Sequence, residues 1–354
     1  MDPHGAGIGR RRRGEGFSYF DLDSGATVDD PAHVDRIDAM VLPPAWRDVW
    51  ISYDADGHIQ AVGTDAAGRR QYRYHEEWTR QRSAEKFLRV ARLGAVMPEA
   101  RTELERRLAG DGLGRERVMA GAVWLLDLGV FRVGGDEYAH GGEGGKGKGG
   151  EASFGLATLR REHATARKAG EVEFRYVAKA GVPRTLTIAD PATHRLVTSL
   201  KRRRGGGEDL LAYRSRRGRA TTWHDVTADD VNDAVRELVG DEFTAKDLRT
   251  WNAGVVAAVA LATHVGEDGA APSAERRRKK AVTATMKSVA EQLGNTPAVA
   301  RSSYVDPALV AHFESGRTVV DAVRAASPDA PTMRAEVERA VLDLLADREG
   351  ATGT

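Results

Sequence analysis

Cysteine is absent from the 354-residue sequence. Disulfide bridges, thiol nucleophiles and cysteine-ligated zinc are therefore excluded, and any covalent chemistry must use an oxygen or nitrogen nucleophile. The sequence also lacks a run of about 18 or more uncharged apolar residues, and its N-terminus is rich in Gly and Arg rather than apolar. We expect a soluble, intracellular protein with no membrane contact.

A large excess of either charge is missing as well, because the formal net charge is only +1. The distribution is more informative than the sum, since basic residues cluster at positions 10–13, 201–204, 214–219 and 276–280. One such cluster alone is often a solvated surface. Several on a nearly neutral chain suit a protein that binds a polyanion on one side and faces water on the other.

The length and a hydrophobic content of 41% allow two domains with separate cores. Short strands are predicted at 17–22, 49–53 and 58–63, with a hairpin turn at Asp56-Gly57. From Glu76 the periodicity becomes helical, with candidate helices at 77–92, 98–109 and 115–130. These patterns predict an α+β fold with a small β-rich N-terminal domain and a larger, mainly α-helical domain that contains a short β-hairpin. The predicted divisions are a flexible basic arm at 1–16, a β-rich domain at 17–75, a helical domain at 76–315 and a C-terminal helical tail at 316–354.

The helical region has one predicted hairpin, formed by alternating β-formers at 171–177 and 184–188 with Lys179 at the turn. Start and stop signals of the later helices are Thr227 with Gly240, Thr244, and Ser273 with Gly294. Thr296 and Pro297 then begin a short helix, so Tyr304 falls about two turns into it.

A glycine-rich stretch at 140–150 carries Lys146 and Lys148. Gly142 to Lys148 fits the first part of a phosphate-binding loop, but Gly149 stands where a Ser or Thr hydroxyl would bind magnesium. No hydrophobic strand leads into the stretch either. We therefore interpret it as a mobile loop and not as a nucleotide site.

Five polar residues stand in unusual local surroundings: Arg132, Lys179, Arg249, Asn295 and Tyr304. A single Arg or Tyr near a helix end is more often structural. Together, these residues suit the transfer of a phosphodiester to a tyrosine. The transition state of that reaction carries extra charge on nonbridging oxygens, and guanidinium groups stay protonated and match phosphate geometry. The leaving alkoxide needs a proton donor, a role for which lysine is better suited than arginine.

Five sequence words, four of which contain these residues, resemble those of the type IB DNA topoisomerases, in particular the compact poxvirus-like branch that also occurs in bacteria. The words are Gly68 to His75, Phe131 to Gly134 with Glu137 to Ala139, Lys179 to Gly181, Lys246 to Trp251, and Leu293 to Pro297 with Ser302 to Tyr304. They occur in the family's order, and the resemblance spans residues 17–315.

The resemblance implies a catalytic site in which Tyr304 is the nucleophile, Lys179 the general acid and Lys246 an auxiliary donor, with Arg132 and Arg249 as the phosphate clamp. It implies relaxation of supercoiled duplex DNA through a 3′-phosphotyrosyl intermediate, without ATP, metal or other cofactor. A monomer closing as a two-lobed clamp around DNA, in the cytoplasm at the nucleoid of a bacterium, is the implied setting. The implied DNA-binding residues are Arg69, Arg70, Gln71, Tyr72, Arg73, Tyr74 and Tyr138. Alternation along a strand places Tyr72 and Tyr74 on one face, for which ordinary strand packing is the alternative interpretation.

The sequence departs from the family pattern at Asn295, where many members have histidine, and in the expanded glycine-rich stretch. An amide donates a hydrogen bond but cannot carry positive charge. Two other functions stay open: a tyrosine recombinase, which shares the Arg, Lys, Arg, Tyr chemistry but usually has a helical N-terminal lobe, and an inactive DNA-binding module. The strand-rich N-terminus disfavours the first, and the complete set of site residues disfavours the second.

Overall fold

The computed structural model describes residues 5–129, 131–135, 139, 152–168, 170–218, 220–325 and 333–347. The chain divides into two compact units, Met1–Lys86 and Phe87–Thr354. The first unit is rich in strands and the second in helices, which confirms the predicted α+β fold. None of the described helices is long and apolar enough to cross a membrane.

The first unit is built on one six-stranded antiparallel sheet with the strand order β3-β2-β1-β4-β5-β6. Its elements are β1 Ile8–Arg13, β2 Gly16–Asp21, β3 Thr27–Val28, α1 Pro31–Ala39, β4 Arg47–Ile51, β5 Ile59–Thr64 and β6 Arg70–Tyr74. Ile8, Ile37 and Ile51 are almost fully buried and form the centre of a small core between the sheet and α1.

Strand β1 replaces most of the flexible arm predicted at 1–16. It pairs antiparallel with β2 along its whole length, and Ile8 and Gly9 also pair with β4. Arg10 is held by the carbonyls of Leu42, Pro43 and Trp46 at 2.8 to 3.3 Å. The prediction of flexibility was wrong because the four consecutive arginines of β1 do not show the alternation of polar and apolar residues that marks a strand. The backbone of β1 pairs within the sheet, while the charged groups of Arg11, Arg12 and Arg13 are exposed to water.

The second unit contains a three-stranded sheet, a two-stranded ribbon and most of the helices. Its strands are β7 Ala164–Ala166, β8 Glu171–Ala178, β9 Val182–Ala189, β10 Ala212–Arg217 and β11 Ala220–Asp225. Its helices are α3 Arg115–Gly129, α4 Pro191–Arg202, α5 Ala228–Val239, α6 Ala245–Ala262, α7 Glu275–Leu293, α8 Pro297–Ser303, α9 Pro307–Glu314, α10 Val320–Ala325 and α11 Met333–Ala346. The predicted β8–β9 hairpin and the caps at Thr227, Gly240, Thr244 and Gly294 are confirmed.

Helix α2, Glu76–Leu108, runs without a break where two helices were predicted. Pro98 lies inside it, and a proline at an interior position costs about 3 kcal/mol. Leu93, Met97 and Leu104 are fully buried around that position. Because burying each such side chain contributes about 1.5 to 3 kcal/mol, packing on both sides of the proline keeps the helix whole.

Candidate active site

A cavity of about 430 Å³ in the second unit is lined by residues from several elements. Five of the predicted site residues line it: Arg132, Lys179, Lys246, Arg249 and Tyr304. A second cavity, of about 680 Å³, shares Arg132, Lys179 and Tyr304 with the first and adds Asn295 to its lining. The fold therefore brings together all six predicted site residues, which are spread over more than 170 positions of the sequence.

Arg132 follows α3 in a backbone segment that is tightly fixed. Its carbonyl oxygen accepts from Leu156 N at 2.8 Å, and the preceding Phe131 is buried edge-on against Phe174. Two residues later the chain passes so close to Gly155 that a Cβ at Gly134 would lie 2.7 Å from Gly155 Cα. Only glycine fits there, with its φ of +85°, so the segment holds Arg132 in one place.

Lys179 lies at the turn between β8 and β9. The turn closes through Ala180 and Gly181, whose φ angles are +68° and +74°. The side chain of Lys179 is exposed. Lys179 is nevertheless one of the residues that line the cavity.

Helix α6 carries Lys246 and Arg249, which lie three residues apart and thus on one face. The helix begins with a capping box, in which Thr244 N and Oγ1 both donate to Asp247 Oδ2, at 3.0 and 2.8 Å. The same carboxylate group pairs with Arg89 at 2.9 Å. These contacts fix the first turn of α6 and the direction of Arg249, which is only 3% exposed.

The end of α7 holds Asn295 in a defined orientation. Gly294 ends the helix in the left-handed conformation, with φ at +62°. Arg132 Nη2 donates to Asn295 Oδ1, which fixes the amide so that Nδ2 points away from the arginine. Asn295 Nδ2 is buried and makes no hydrogen bond within the described part of the chain. This amide nitrogen is therefore a buried donor that can bind an acceptor of a ligand.

Tyr304 is the C-cap of α8, two turns after the Thr296 cap as predicted. Only 8% of the residue is exposed, and the guanidinium carbon of Arg249 lies 5.5 Å from its ring centroid. Burial raises the pKa of the phenol, but the charge and hydrogen bond of Arg249 outweigh this, with help from Arg132 and Lys246. The net result is a pKa below the ordinary value of 10.0, which favours the ionised form.

Burial has the opposite effect on the pKa of Arg249, because it disfavours the charged form of both groups. Burial lowers its pKa to about 10, and the charge of Arg132 acts in the same direction. That value is still well above neutral pH, so the guanidinium stays charged. A charged Arg249 beside a readily ionised Tyr304 is suited to a phenolate attacking an anionic phosphate.

Sequence reasoning missed Arg184, which lies on β9 and lines the second cavity. Its register partner on β8 is Tyr176, a buried residue whose pKa is raised by burial and opposed by the charges of Arg184, Arg249 and Arg132. The alternation of side chains along β9 could have indicated its position, because Arg184 lies four residues before the buried Ile188 and so on the same face of the strand.

The predicted DNA-binding residues of the first unit lie on or beside β6. Tyr72 and Tyr74 share one face, as predicted, with parallel rings 6.0 Å apart, and Trp78 extends the stack at 4.8 Å from Tyr74. Tyr72 is 43% exposed and Tyr74 is 38% exposed. Arg70 and Arg73 are exposed on the same strand.

Arg69 and Gln71 both contact Asp65. Arg69 forms an ion pair with this carboxylate at 2.8 Å, and Gln71 Nε2 donates to it at 3.0 Å. Tyr138 and the stretch at 140–150 lie outside the described residues, so their predicted roles stay predictions.

The sequence is similar to two known protein families and to one viral protein. Residues 75–315 match the family described as "Eukaryotic DNA topoisomerase I, catalytic core". Residues 16–65 match the "Bacterial DNA topoisomerase IB, N-terminal domain". "DNA topoisomerase 1B" of Acanthamoeba polyphaga mimivirus is 29% identical over 311 residues, which cover 84% of this chain and 85% of the viral protein. Since the catalytic-core match alone extends over more than half of the sequence, this chain belongs to the type IB DNA topoisomerase family.

Proposed function

We propose that the protein relaxes supercoiled duplex DNA by cutting one strand, forming a 3′-phosphotyrosyl intermediate at Tyr304, and resealing the strand without ATP or metal. The observation that carries the proposal is the cavity lined by Arg132, Lys179, Lys246, Arg249 and Tyr304. Within it, a tyrosine with a lowered pKa lies beside an arginine that is charged at neutral pH.

In the cleavage step the oxygen of Tyr304 attacks phosphorus, and the bond between phosphorus and the 5′ oxygen breaks. The phenolic proton is lost to solvent, and Lys179 donates a proton to the departing 5′ oxygen. Lys246 also lines the cavity and is the auxiliary donor. The reverse sequence reseals the strand, because the 5′ hydroxyl returns its proton to Lys179 as it attacks the phosphotyrosine.

Arg132 and Arg249 stabilise the charge that develops on the nonbridging oxygens. Arginine suits this role, since it presents several donors in a fixed plane and stays protonated. Asn295 Nδ2, buried and oriented by Arg132, adds a neutral donor to the same oxygens. The orientation and burial of the amide support this role despite its lack of charge.

Resealing needs no ATP in this scheme because the phosphotyrosine ester conserves the energy of the broken phosphodiester. The β-rich first unit supports a topoisomerase over a recombinase, which usually has a helical lobe in that place. We propose duplex DNA, preferentially supercoiled, as the partner, and a single chain that closes around it as a clamp. We also propose a nucleoid-associated location in the cytoplasm of a bacterium.

The direct test is relaxation of a supercoiled plasmid by the purified protein in EDTA without ATP. We expect a ladder of relaxed topoisomers from the native protein and none from Tyr304→Phe. Arg175→Gln, at an exposed residue that pairs with Glu173 at 2.7 Å, is the matched control and should relax the plasmid normally. Retention of full supercoiling by the native protein at several salt concentrations would contradict the proposal.

A further inference from the structure

Three arginines meet at the C-terminal end of α7. Arg184 Nη2 donates to Gln292 O at 2.5 Å, Arg249 Nη2 donates to Leu293 O, and Arg132 Nη2 lies 3.4 Å from Gly294 O. The chain turns back at Gly294, where Asn295 N donates to Ala290 O at 2.8 Å. This leaves three consecutive carbonyls to accept from side chains, as the last carbonyls of a helix must.

Two of the three arginines, Arg132 and Arg184, have no carboxylate partner among the residues that the structure describes. A helix C-terminus offers only about half a negative charge, which is far less than several guanidinium groups carry. Burial lowers the pKa of Arg184, and the charge of Arg132 lowers it further against the opposing effect of Tyr176. The cluster is therefore suited to receive an anion.

Arg184 has donor nitrogens available for an anion. One nitrogen, Nη2, is used by Gln292, and Nε and Nη1 make no hydrogen bond to the residues that the structure describes. The side chain lines the second cavity together with Lys179, Asn295 and Tyr304. That cavity shares Arg132, Lys179 and Tyr304 with the first, so the two cavities are adjacent, and a strand whose reacting phosphate binds beside Tyr304 would pass the cavity that Arg184 lines.

We propose that Arg184 is a third phosphate-binding arginine of this site, which contacts the scissile strand at the reacting phosphate or at a phosphate directly next to it. The contact is made by the guanidinium nitrogens not engaged by Gln292. Arg184 thereby holds the strand against Tyr304 from the β9 side, while Arg249 acts from the α6 side. The inference rests on the proposed function, because it assumes that the cavity receives the scissile strand.

The test compares native protein with Arg184→Gln, Arg184→Lys and Arg175→Gln in single-turnover cleavage of a short duplex. Arg175 is the matched control because it is the neighbouring arginine on β8, where its register partner is Thr185 and its side chain pairs with Glu173. We expect Arg184→Gln to slow cleavage by about 10- to 100-fold, the range for losing a charged hydrogen bond. Arg184→Lys should lose less, and Arg175→Gln should stay within about twofold of the native rate, as expected for an exposed pair.

The decisive arm uses duplexes with a single uncharged methylphosphonate, at the reacting phosphate or at either neighbour. If Arg184 binds one of these phosphates, the difference between native protein and Arg184→Gln disappears when that phosphate is neutral. A difference that persists for all three duplexes, or Arg184→Gln cleaving as fast as native protein, overturns the inference. Persistence would mean that Arg184 only caps α7, since a cap is insensitive to the charge of the DNA.

The same experiment separates this inference from the proposed function. Native protein that forms no covalent adduct with the unmodified duplex would contradict the function itself. Native protein that forms the adduct, with an Arg184→Gln penalty unaffected by any methylphosphonate, would contradict only the role of Arg184.

Discussion

Asn295 is oriented by Arg132 through its carbonyl oxygen, so its amide nitrogen is available to a phosphate oxygen. We predict that Asn295→Ala slows single-turnover cleavage by about 10-fold, because it removes one neutral donor to a charged oxygen. Arg132→Ala and Arg249→Ala should each cost roughly 100- to 1,000-fold, as for an oxyanion-hole donor. Equal losses in all three variants would show that the amide does more than donate one hydrogen bond.

The pH dependence of cleavage should report the environment of Tyr304. Burial acts to raise its pKa, whereas Arg249, Arg132 and Lys246 lower it below 10.0. In Arg249→Gln the largest lowering influence is lost, so the pKa rises and less phenolate is present at a given pH. We predict that the rising limb of the cleavage rate, measured from about pH 6 to about pH 10, moves to higher pH in this variant. A limb at the native position, however low the rate, would contradict the coupling between the two residues.

The site was predictable at the residue scale wherever function required particular residue types within short sequence words. Tyr304, Arg132 and Arg249 belong to such words. Arg184 does not, and its position beside the site depends on strand register and on the end of a helix more than 100 positions away. The exposure of Lys179 could not be predicted either, because the sequence does not show how far a hairpin turn extends into solvent.

At the element scale, helices with clear caps were predicted well, and those defined by tertiary packing were not. Thr227 and Gly240 delimit α5 as expected. In contrast, α2 continues through Pro98 because of its buried side chains, and β1 forms because the sheet needs its backbone. The ribbon β10–β11 was not predicted, because the arginines of β10 interrupt the alternation of polar and apolar residues that indicates a strand.

Helix α11 is joined to the helices of the site by a buried network of charges. Arg101 on α2 pairs with Asp127 on α3 at 2.8 Å and with Glu338 on α11 at 2.6 Å. Arg334 pairs with the same two carboxylates at 2.7 and 2.9 Å. Asn252, three residues after Arg249, donates to the Asp127 carbonyl at 2.9 Å. The C-terminal helix therefore braces both α3 and α6.

We predict that Glu338→Ala lowers the free energy of unfolding by about 3 kcal/mol, because breaking a buried pair leaves Arg101 and Arg334 incompletely compensated. Glu336→Ala, on the exposed side of the same helix, is the control and should change it by less than about 0.5 kcal/mol. Chemical denaturation measures both. A similar small effect for the two variants would mean that the network contributes little.

At the scale of the whole molecule, the two units carry different groups: an exposed aromatic stack with arginines on β6, and a cavity lined by cations in the second unit. We predict that Arg73→Ala weakens DNA binding and lowers the slope of log affinity against log salt by about 1, as expected for one lost phosphate contact. Tyr72→Ala should weaken binding with no change in slope, because its ring carries no charge. An unchanged slope for Arg73→Ala would remove this residue from the DNA interface.

The division into a sheet-rich and a helical part was predictable for the whole chain, because hydrophobic periodicity changes from two to 3.6 residues near Glu76. The position of the boundary was harder to predict. The compact units divide at Lys86, inside α2, where the helical periodicity continues without a signal.

The covalent role of Tyr304 is tested most directly by trapping the adduct on a duplex labelled at the 5′ end of the cleaved strand. We predict that native protein and Tyr213→Phe, a control on β10, retain the label on a denaturing gel, whereas Tyr304→Phe binds the duplex but retains none. A labelled adduct that persists in Tyr304→Phe, or one formed only when the 3′ end carries the label, would contradict the account.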